Sequence, residues 1–192
     1  MISNHMRRHQ SGITLIEVLV SVLILGLAMI SLAGLQSYTV KYQLGSANRA
    51  VLSMLVGDYA ERVRANLTAA PGDGAAGDQS KYLYAVAWSD QADAPVEADV
   101  DCAATVCTDA NTLAEWDMAN WRQRVRDELP RGSVHIAGTM RDGLTMTFMW
   151  QDNDFGSKSP VCAANQNPVD ARQCCPADLP KGVRCANFVI VP

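Results

Sequence analysis

The stretch SGITLIEVLVSVLILGLAMISLAGL, residues 11–35, places one glutamate inside an otherwise uncharged apolar run. The run from Ile13 to Leu35 has 23 residues, so a helix at about 1.5 Å per residue would extend roughly 34 Å and cross a bilayer. A carboxylate such as Glu17 in hydrocarbon costs on the order of 2.5–3.5 kcal/mol on insertion scales. Glu17 therefore either reaches the lipid interface or has a specific partner.

The residues before the run predict its orientation. MISNHMRRHQSG, residues 1–12, is a short basic leader with Arg7 and Arg8. Positive charges tend to stay cytoplasmic, so the rest of the chain is predicted to lie outside the cytoplasm. A secretory signal would end its apolar run with a small-residue site of the A-x-A kind, and no such site clearly ends this one. The pattern favours a membrane-spanning helix.

The string SGITLIEVLV, residues 11–20, joins a glycine that ends the basic leader to a carboxylate five residues later. It resembles the class III signal of type IV pilins and of the pseudopilins of type II secretion. The resemblance implies that a membrane-embedded prepilin peptidase cuts between Gly12 and Ile13 and methylates the new amine of Ile13, where the family more often has phenylalanine. Glu17 would pair with that amine on a neighbouring helix and set the register of assembly, because two buried opposite charges can satisfy each other.

The chain beyond the apolar run predicts a longer helix. No proline appears between Leu35 and Pro71, and apolar residues recur three or four apart at Leu52, Leu55, Tyr59, Val63 and Leu67. We therefore expect a removed leader at 1–12, a helix over 13–67 whose segment 13–35 is transmembrane, and a periplasmic globular head at 68–192. Gly26, Gly34 and Gly45 in this helix indicate either close helix packing or local melting near Gly34.

All six cysteines lie after residue 100, at Cys102, Cys107, Cys162, Cys174, Cys175 and Cys185. An even count in the presumed exported part predicts disulfides in an oxidising compartment. Cys102 and Cys107 are close enough in sequence for a local bridge, whereas the pairing among the last four stays open except that adjacent Cys174 and Cys175 do not pair. Zinc is disfavoured because the spacings do not fit and His135 is the only histidine outside the leader.

Three patterns predict the elements of the head. KYLYAVAW, residues 81–88, is a possible strand followed by an acidic solvated loop. TLAEWDMANWRQRVRDEL, residues 112–129, predicts a helix that opens with a capping box of Thr112 and Glu115. Its expected core face contains Leu113, Trp116, Trp121, Val125 and Leu129.

SVHIAGTMRDGLTMTFMW, residues 133–150, predicts a hairpin with a two-residue turn at Asp142 and Gly143. Four of its apolar residues alternate on one face, namely Leu144, Met146, Phe148 and Trp150. ANFVIV, residues 186–191, predicts a closing strand. The expected fold is α+β: a long N-terminal helix packed on a small antiparallel sheet, with a disulfide-stapled C-terminal region of the kind that the pilin resemblance implies.

Composition and charge exclude several functions. Apolar residues make up 48% and charged residues 19%, which is a globular balance, and no nucleophile elbow, phosphate loop or credible metal cluster emerges. We expect neither an enzyme nor a cofactor. The net charge of −4 would become −6 once Arg7 and Arg8 were removed, and an acidic surface argues against direct nucleic-acid binding.

The resemblance implies a minor pilin of a type IV pilus as the first interpretation, on the N-terminal segment and on a hairpin ending in MWQD, residues 149–152. A minor pseudopilin of type II secretion and a tip adhesin or DNA-uptake pilin are the alternatives. The partners implied are the prepilin peptidase, the major and other minor pilins, the inner-membrane assembly machinery and membrane lipid. The expected location is the inner membrane before assembly and the pilus or cell surface afterwards.

Overall fold

The computed structural model describes residues 12–72, 80–153, 155–163 and 168–191, with only the backbone described at 41, 42, 44–46, 168 and 169. The predicted leader up to residue 11 and residues 73–79 of the glycine-rich loop lie outside this range. Two compact units divide the chain, Met1–Ala47 and Asn48–Pro192. The division falls inside one helix, so each unit is described separately.

The described elements follow one another as a long helix, a short helical segment, a helix and a three-stranded sheet. They are α1 (Leu15–Ala65), α2 (Trp88–Gln91), α3 (Ala110–Glu128), β1 (Ser133–Thr139), β2 (Gly143–Gln151), α4 (Pro168–Ala171) and β3 (Val183–Ile190), with a single 3-10 turn at Leu67–Ala69. The sheet order is β1-β2-β3 with both pairs antiparallel. The predicted α+β class, with its long N-terminal helix and disulfide-stapled C-terminal region, is confirmed.

The core of the second unit lies between one face of the sheet and the apolar faces of α1 and α3. Register aligns Phe148 of β2 with Val134 of β1 and Ala186 of β3, so apolar side chains of all three strands share that face. The end of α1 contributes Leu52, Leu55, Tyr59 and Val63, all at most 1% exposed, as the periodicity predicts. Leu67 was predicted to continue the stripe, but it is 63% exposed because the helix ends at Ala65 and the chain turns.

Trp121 of α3 joins these layers. Its ring is fully buried with its centroid 5.3 Å from that of Tyr59 and 5.9 Å from that of Phe148. The indole Nε1 donates to the backbone oxygen of Leu55 at 2.9 Å. One side chain therefore contacts α1 and the sheet and satisfies its only polar group while buried.

The α3 prediction is right about the helix and wrong about its start. Asp109, and not Thr112, is the N-cap: its carboxylate accepts from the Thr112 backbone N at 2.8 Å. The predicted capping box fails because this acid lies one turn earlier and its oxygen is an equally good acceptor. The buried face is correspondingly shifted, to Ala114, Met118, Trp121, Val125 and Leu129, whereas Leu113 and Trp116 are only partly buried.

The hairpin is confirmed with a different turn. Thr139 pairs with Gly143, so residues 140–142 form a three-residue loop and Gly143 begins β2, contrary to the predicted Asp142-Gly143 turn. Gly143 has φ 98°, a conformation that favours glycine, and the Asp142 backbone N donates to Thr139 Oγ1 at 2.9 Å. Leu144, Met146, Phe148 and Trp150 are all buried.

The predicted strand at 81–88 is wrong. Only Tyr84 pairs with a strand, through one isolated bridge to Ile136, and Trp88 already begins α2. At the edge of β1 the Gln91 side chain forms the hydrogen bonds that a neighbouring strand would form. Its amide nitrogen donates to the Val134 carbonyl at 2.9 Å, and its amide oxygen accepts from the Val134 N at 3.1 Å. A buried amide of this kind has the same donor and acceptor pair as a peptide group.

We predict that Trp121→Ala lowers the free energy of unfolding by about 3–5 kcal/mol, because a buried aromatic leaves a cavity that the surroundings fill only in part. Trp116→Ala is the matched control on the same helix and should cost about 1 kcal/mol or less. Chemical denaturation of the full chain in detergent, followed by circular dichroism, measures both. Equal losses in the two variants would contradict the assigned core.

Candidate functional site

The segment Gly12–Glu17 is open along its length. Gly12, Ile13 and Thr14 precede the helix, α1 begins at Leu15, and every residue of the segment is exposed. A Cβ added at Gly12 would meet nothing within 4 Å. The peptide bond between Gly12 and Ile13 is therefore accessible to an enzyme that must reach it from outside the chain.

Glu17 lies in the first turn of α1. The Thr14 carbonyl accepts from the backbone N of Glu17 at 3.1 Å and of Val18 at 3.3 Å, which fixes the start of the helix. A carboxylate in the first turn is favoured by the helix dipole. Within residues 12–191 as described, the Glu17 side chain makes neither a hydrogen bond nor an ion pair. Its charge is thus available to another molecule.

The first unit exposes a continuous apolar surface. Leu15–Val40 is a 26-residue stretch that is long and apolar enough to cross a membrane. The hydroxyl groups of Ser21, Ser31 and Thr39 each donate to the carbonyl four residues earlier, at 2.7–3.0 Å. These polar groups are therefore satisfied inside the helix, as hydrocarbon surroundings require.

The glycines of this stretch do not break the helix or pack against other described parts. α1 is continuous through Gly26 and Gly34, and a Cβ at either position would meet nothing within 4 Å. Close packing at these glycines would have to involve another molecule, and local melting near Gly34 stays a prediction.

In the second unit, a chain of alternating charges ties the end of α1 to α3. Asp58 accepts from Arg62 Nε at 3.2 Å and from Arg124 Nη1 at 2.9 Å, and Arg62 Nη1 donates to Asp117 Oδ1 at 3.0 Å. The Tyr82 hydroxyl donates to Asp117 Oδ2 at 3.1 Å. Sequence reasoning missed this network, because Asp58 and Arg62 could be read only as a polar face of the helix.

The disulfide candidates form three bridges. Cys102 pairs with Cys107, Cys162 with Cys174 and Cys175 with Cys185, with Cα–Cα distances of 5.3, 4.8 and 5.4 Å. The last bridge joins the C-terminal loop to β3, and the Asn187 side-chain amide donates to the carbonyls of Ala171 and Cys174 at 2.8 Å each. The sequence left the pairing among the last four cysteines open. The position of β3 determines it, because Cys185 lies on that strand.

The described residues contain no cluster of three or more His, Cys, Asp or Glu side chains that could hold a metal ion. His135 lies on β1, where partial burial lowers its pKa, and no acidic partner hydrogen-bonds it in the described part of the chain. A structural histidine is consistent with these surroundings.

Comparison with known families identifies the N-terminal segment. Residues 7–33 match the prokaryotic N-terminal methylation motif, which includes Gly12, Ile13 and Glu17. No curated protein and no solved structure is significantly similar to the chain. The motif supports a type IV pilin-like or pseudopilin protein, which a prepilin peptidase processes and which assembles with pilus-type machinery. Together with the apolar helix, it fits a membrane-anchored protein.

The tyrosines of the second unit predict a loss of stability at alkaline pH. Burial raises the pKa of Tyr82 from its ordinary value of 10.0 to about 12, and burial also raises the pKa of Tyr59. Because the folded value is above the unfolded one, this contribution is fully present below pH 10 and is lost as pH rises through about 12. Between pH 9 and 12 the melting temperature of Tyr82→Phe should therefore fall less steeply with pH than that of the wild type. Identical slopes for variant and wild type would contradict the assignment.

Proposed function

We propose that the chain is a minor pilin of a type IV pilus, a structural subunit without catalytic activity that primes pilus assembly or joins the filament. The observation that carries the proposal is the carboxylate of Glu17, which has no partner among the described residues and lies five residues after Gly12 in a methylation motif, at the start of an exposed apolar helix. When the helix is buried among other subunits, such a charge is costly unless a second subunit supplies a cation.

In this proposal the prepilin peptidase removes residues 1–12 and methylates the amine of Ile13. The segment 13–35 then spans the inner membrane within the helix 13–67, and residues 68–192 form the periplasmic head. The accessible Gly12–Ile13 bond and the apolar stretch Leu15–Val40 support this division. The Ile13 ammonium of one subunit pairs with Glu17 of the next. Each subunit therefore carries an ammonium for one neighbour and a carboxylate for another.

The head would determine which subunits are neighbours. Three disulfides fix its loops, which suits an oxidising compartment outside the cytoplasm. Within the family, the sequence GITLIEVLVSVLILGLAMISLAGLQ, residues 12–36, resembles the minor pilin of the pilus modification type, PilV. A minor pseudopilin of type II secretion is the second candidate, because the methylation motif is shared by both classes.

We predict that Glu17→Gln leaves processing and membrane insertion intact but lowers the sheared surface fraction at least about tenfold. The reason is that one lost buried pair, at about 3–5 kcal/mol, exceeds the 1.4 kcal/mol of a tenfold change. Immunoblots of sheared and membrane fractions from cells that produce the host's pilus machinery measure this. Glu61→Gln is the matched control, since Glu61 is an exposed carboxylate of the same helix that pairs only with Arg64 among the described residues.

Two results would contradict the proposal. Surface assembly of Glu17→Gln at the level of Glu61→Gln would show that the carboxylate has no role in assembly. Normal piliation but lost protein secretion in cells that lack the chain would assign it to type II secretion instead.

A further inference from the structure

The second unit contains a small, partly open cavity whose lining includes two arginines. Its volume is about 30 Å³, and its lining includes Arg122 and Arg126 of α3 together with Tyr84, Asp90, Gly132 and Val134. Arg122 and Arg126 are one helical turn apart, where side chains are neighbours. Two positive charges are thus brought to one partly open cavity.

The two guanidinium groups are only partly satisfied. The Nε atoms of Arg122 and Arg126 are both buried and have no hydrogen-bond partner among the described residues. Their terminal nitrogens donate elsewhere, Arg122 to the Tyr84 hydroxyl and Arg126 to the carbonyls of Gln91 and Ala94. Because an orphaned buried donor is costly, each Nε should have an acceptor in the folded protein.

The negative charges nearby are engaged elsewhere. Asp90, which lines the cavity, is exposed and accepts from Ser89 Oγ at 3.1 Å, and Glu115 pairs with Lys81 at 3.4 Å. Among the described residues neither arginine forms a salt bridge. Burial lowers the pKa of Arg122, and the charge of Arg126 acts in the same direction, whereas Tyr84 and the carboxylate of Glu115 raise it. The pair is therefore a partly desolvated site of positive charge.

Tyr84 adds a third donor at the same place. Its hydroxyl oxygen accepts from Arg122, its ring lies under the guanidinium with the centroid 4.2 Å from Arg122 Cζ, and its own proton has no acceptor in the described part of the chain. The cavity thus combines donors that lack acceptors among the described residues with two positive charges that form no salt bridge there.

We propose that this cavity binds a monoatomic halide ion, chloride in the cell, between the Nε–H groups of Arg122 and Arg126 and the Tyr84 hydroxyl. A volume of about 30 Å³ has room for a small anion. A water would accept from two donors but would bring no negative charge to the two guanidinium groups. A halide accepts from all three donors and compensates the charge. This inference is independent of the proposed pilin function.

The test compares thermal unfolding of the full chain, in a non-ionic detergent, in sodium chloride and in sodium gluconate at equal ionic strength. Chloride at about ten times its dissociation constant should raise the melting temperature by about 3 °C over gluconate. The difference should disappear in Arg122→Lys and in Arg126→Lys, which lack Nε. Arg124→Lys is the matched control, because Arg124 lies between them on α3 and binds Asp58 instead.

A second measurement does not depend on the variants folding. Chloride-35 NMR of the wild-type chain should show line broadening that bromide reverses, and Asp90→Asn should bind chloride more tightly because a repelling carboxylate is removed. Equal melting in chloride and gluconate, with no broadening, would overturn the proposal in favour of water. A chloride response that appears only in Asp90→Asn would also overturn it, since Asp90 would then be the native counter-ion.

Discussion

The charge of Glu17 must be compensated wherever the apolar half of α1 is removed from water, and the described part of the chain contains no group that compensates it. Burying an unpaired carboxylate is costly, so the helix has one residue that favours association with a particular second molecule. The hydroxyl groups of Ser21, Ser31 and Thr39 bond to carbonyls of the same helix, and Glu17 is the only charged residue between Leu15 and Val40. The methylation motif, which covers residues 7–33, suggests where the cation comes from.

The other end of α1 belongs to a folded unit. Residues 48–65 bury Tyr59 and its neighbours against Trp121, and the charge chain through Asp58, Arg62 and Asp117 fixes the rotation of the two helices within that unit. One continuous helix therefore serves two environments, with an uninterrupted apolar surface in its first half and a stripe at helical spacing in its second. Mutations in the second unit should act on stability before they act on assembly.

Much of this organisation could be predicted from the sequence, because its signals are local. Three local patterns were sufficient. The apolar run predicts the exposed apolar helix, the spacing from Leu52 to Val63 predicts the buried face of α1, and the alternation from Leu144 to Trp150 predicts the buried face of β2. The starts and turns were less predictable, since Asp109 and Thr112 are both acceptable caps and Gly143 serves equally in a turn or at the beginning of a strand.

Features that join distant parts of the chain could not be predicted. Residues 81–88 have a composition typical of a strand, yet only Tyr84 of this segment pairs with β1. The Gln91 side chain forms a further hydrogen bond to the same strand. The pairing of Cys162 with Cys174 and the orphaned Nε atoms of Arg122 and Arg126 also require the tertiary structure. By contrast, the resemblance of residues 11–20 to the class III signal identifies Gly12, Ile13 and Glu17, and their roles in processing and pairing remain predictions.

The mature N-terminus tests the central claim most directly. The chain would be produced together with a prepilin peptidase, extracted from the membrane and measured as an intact protein and as N-terminal peptides by mass spectrometry. The account predicts a chain that begins at Ile13 and carries one methyl group on its α-amine. A chain that still begins at Met1, or one cut beyond Leu35, would contradict the account and make Glu17 an interfacial side chain of an ordinary anchor or signal.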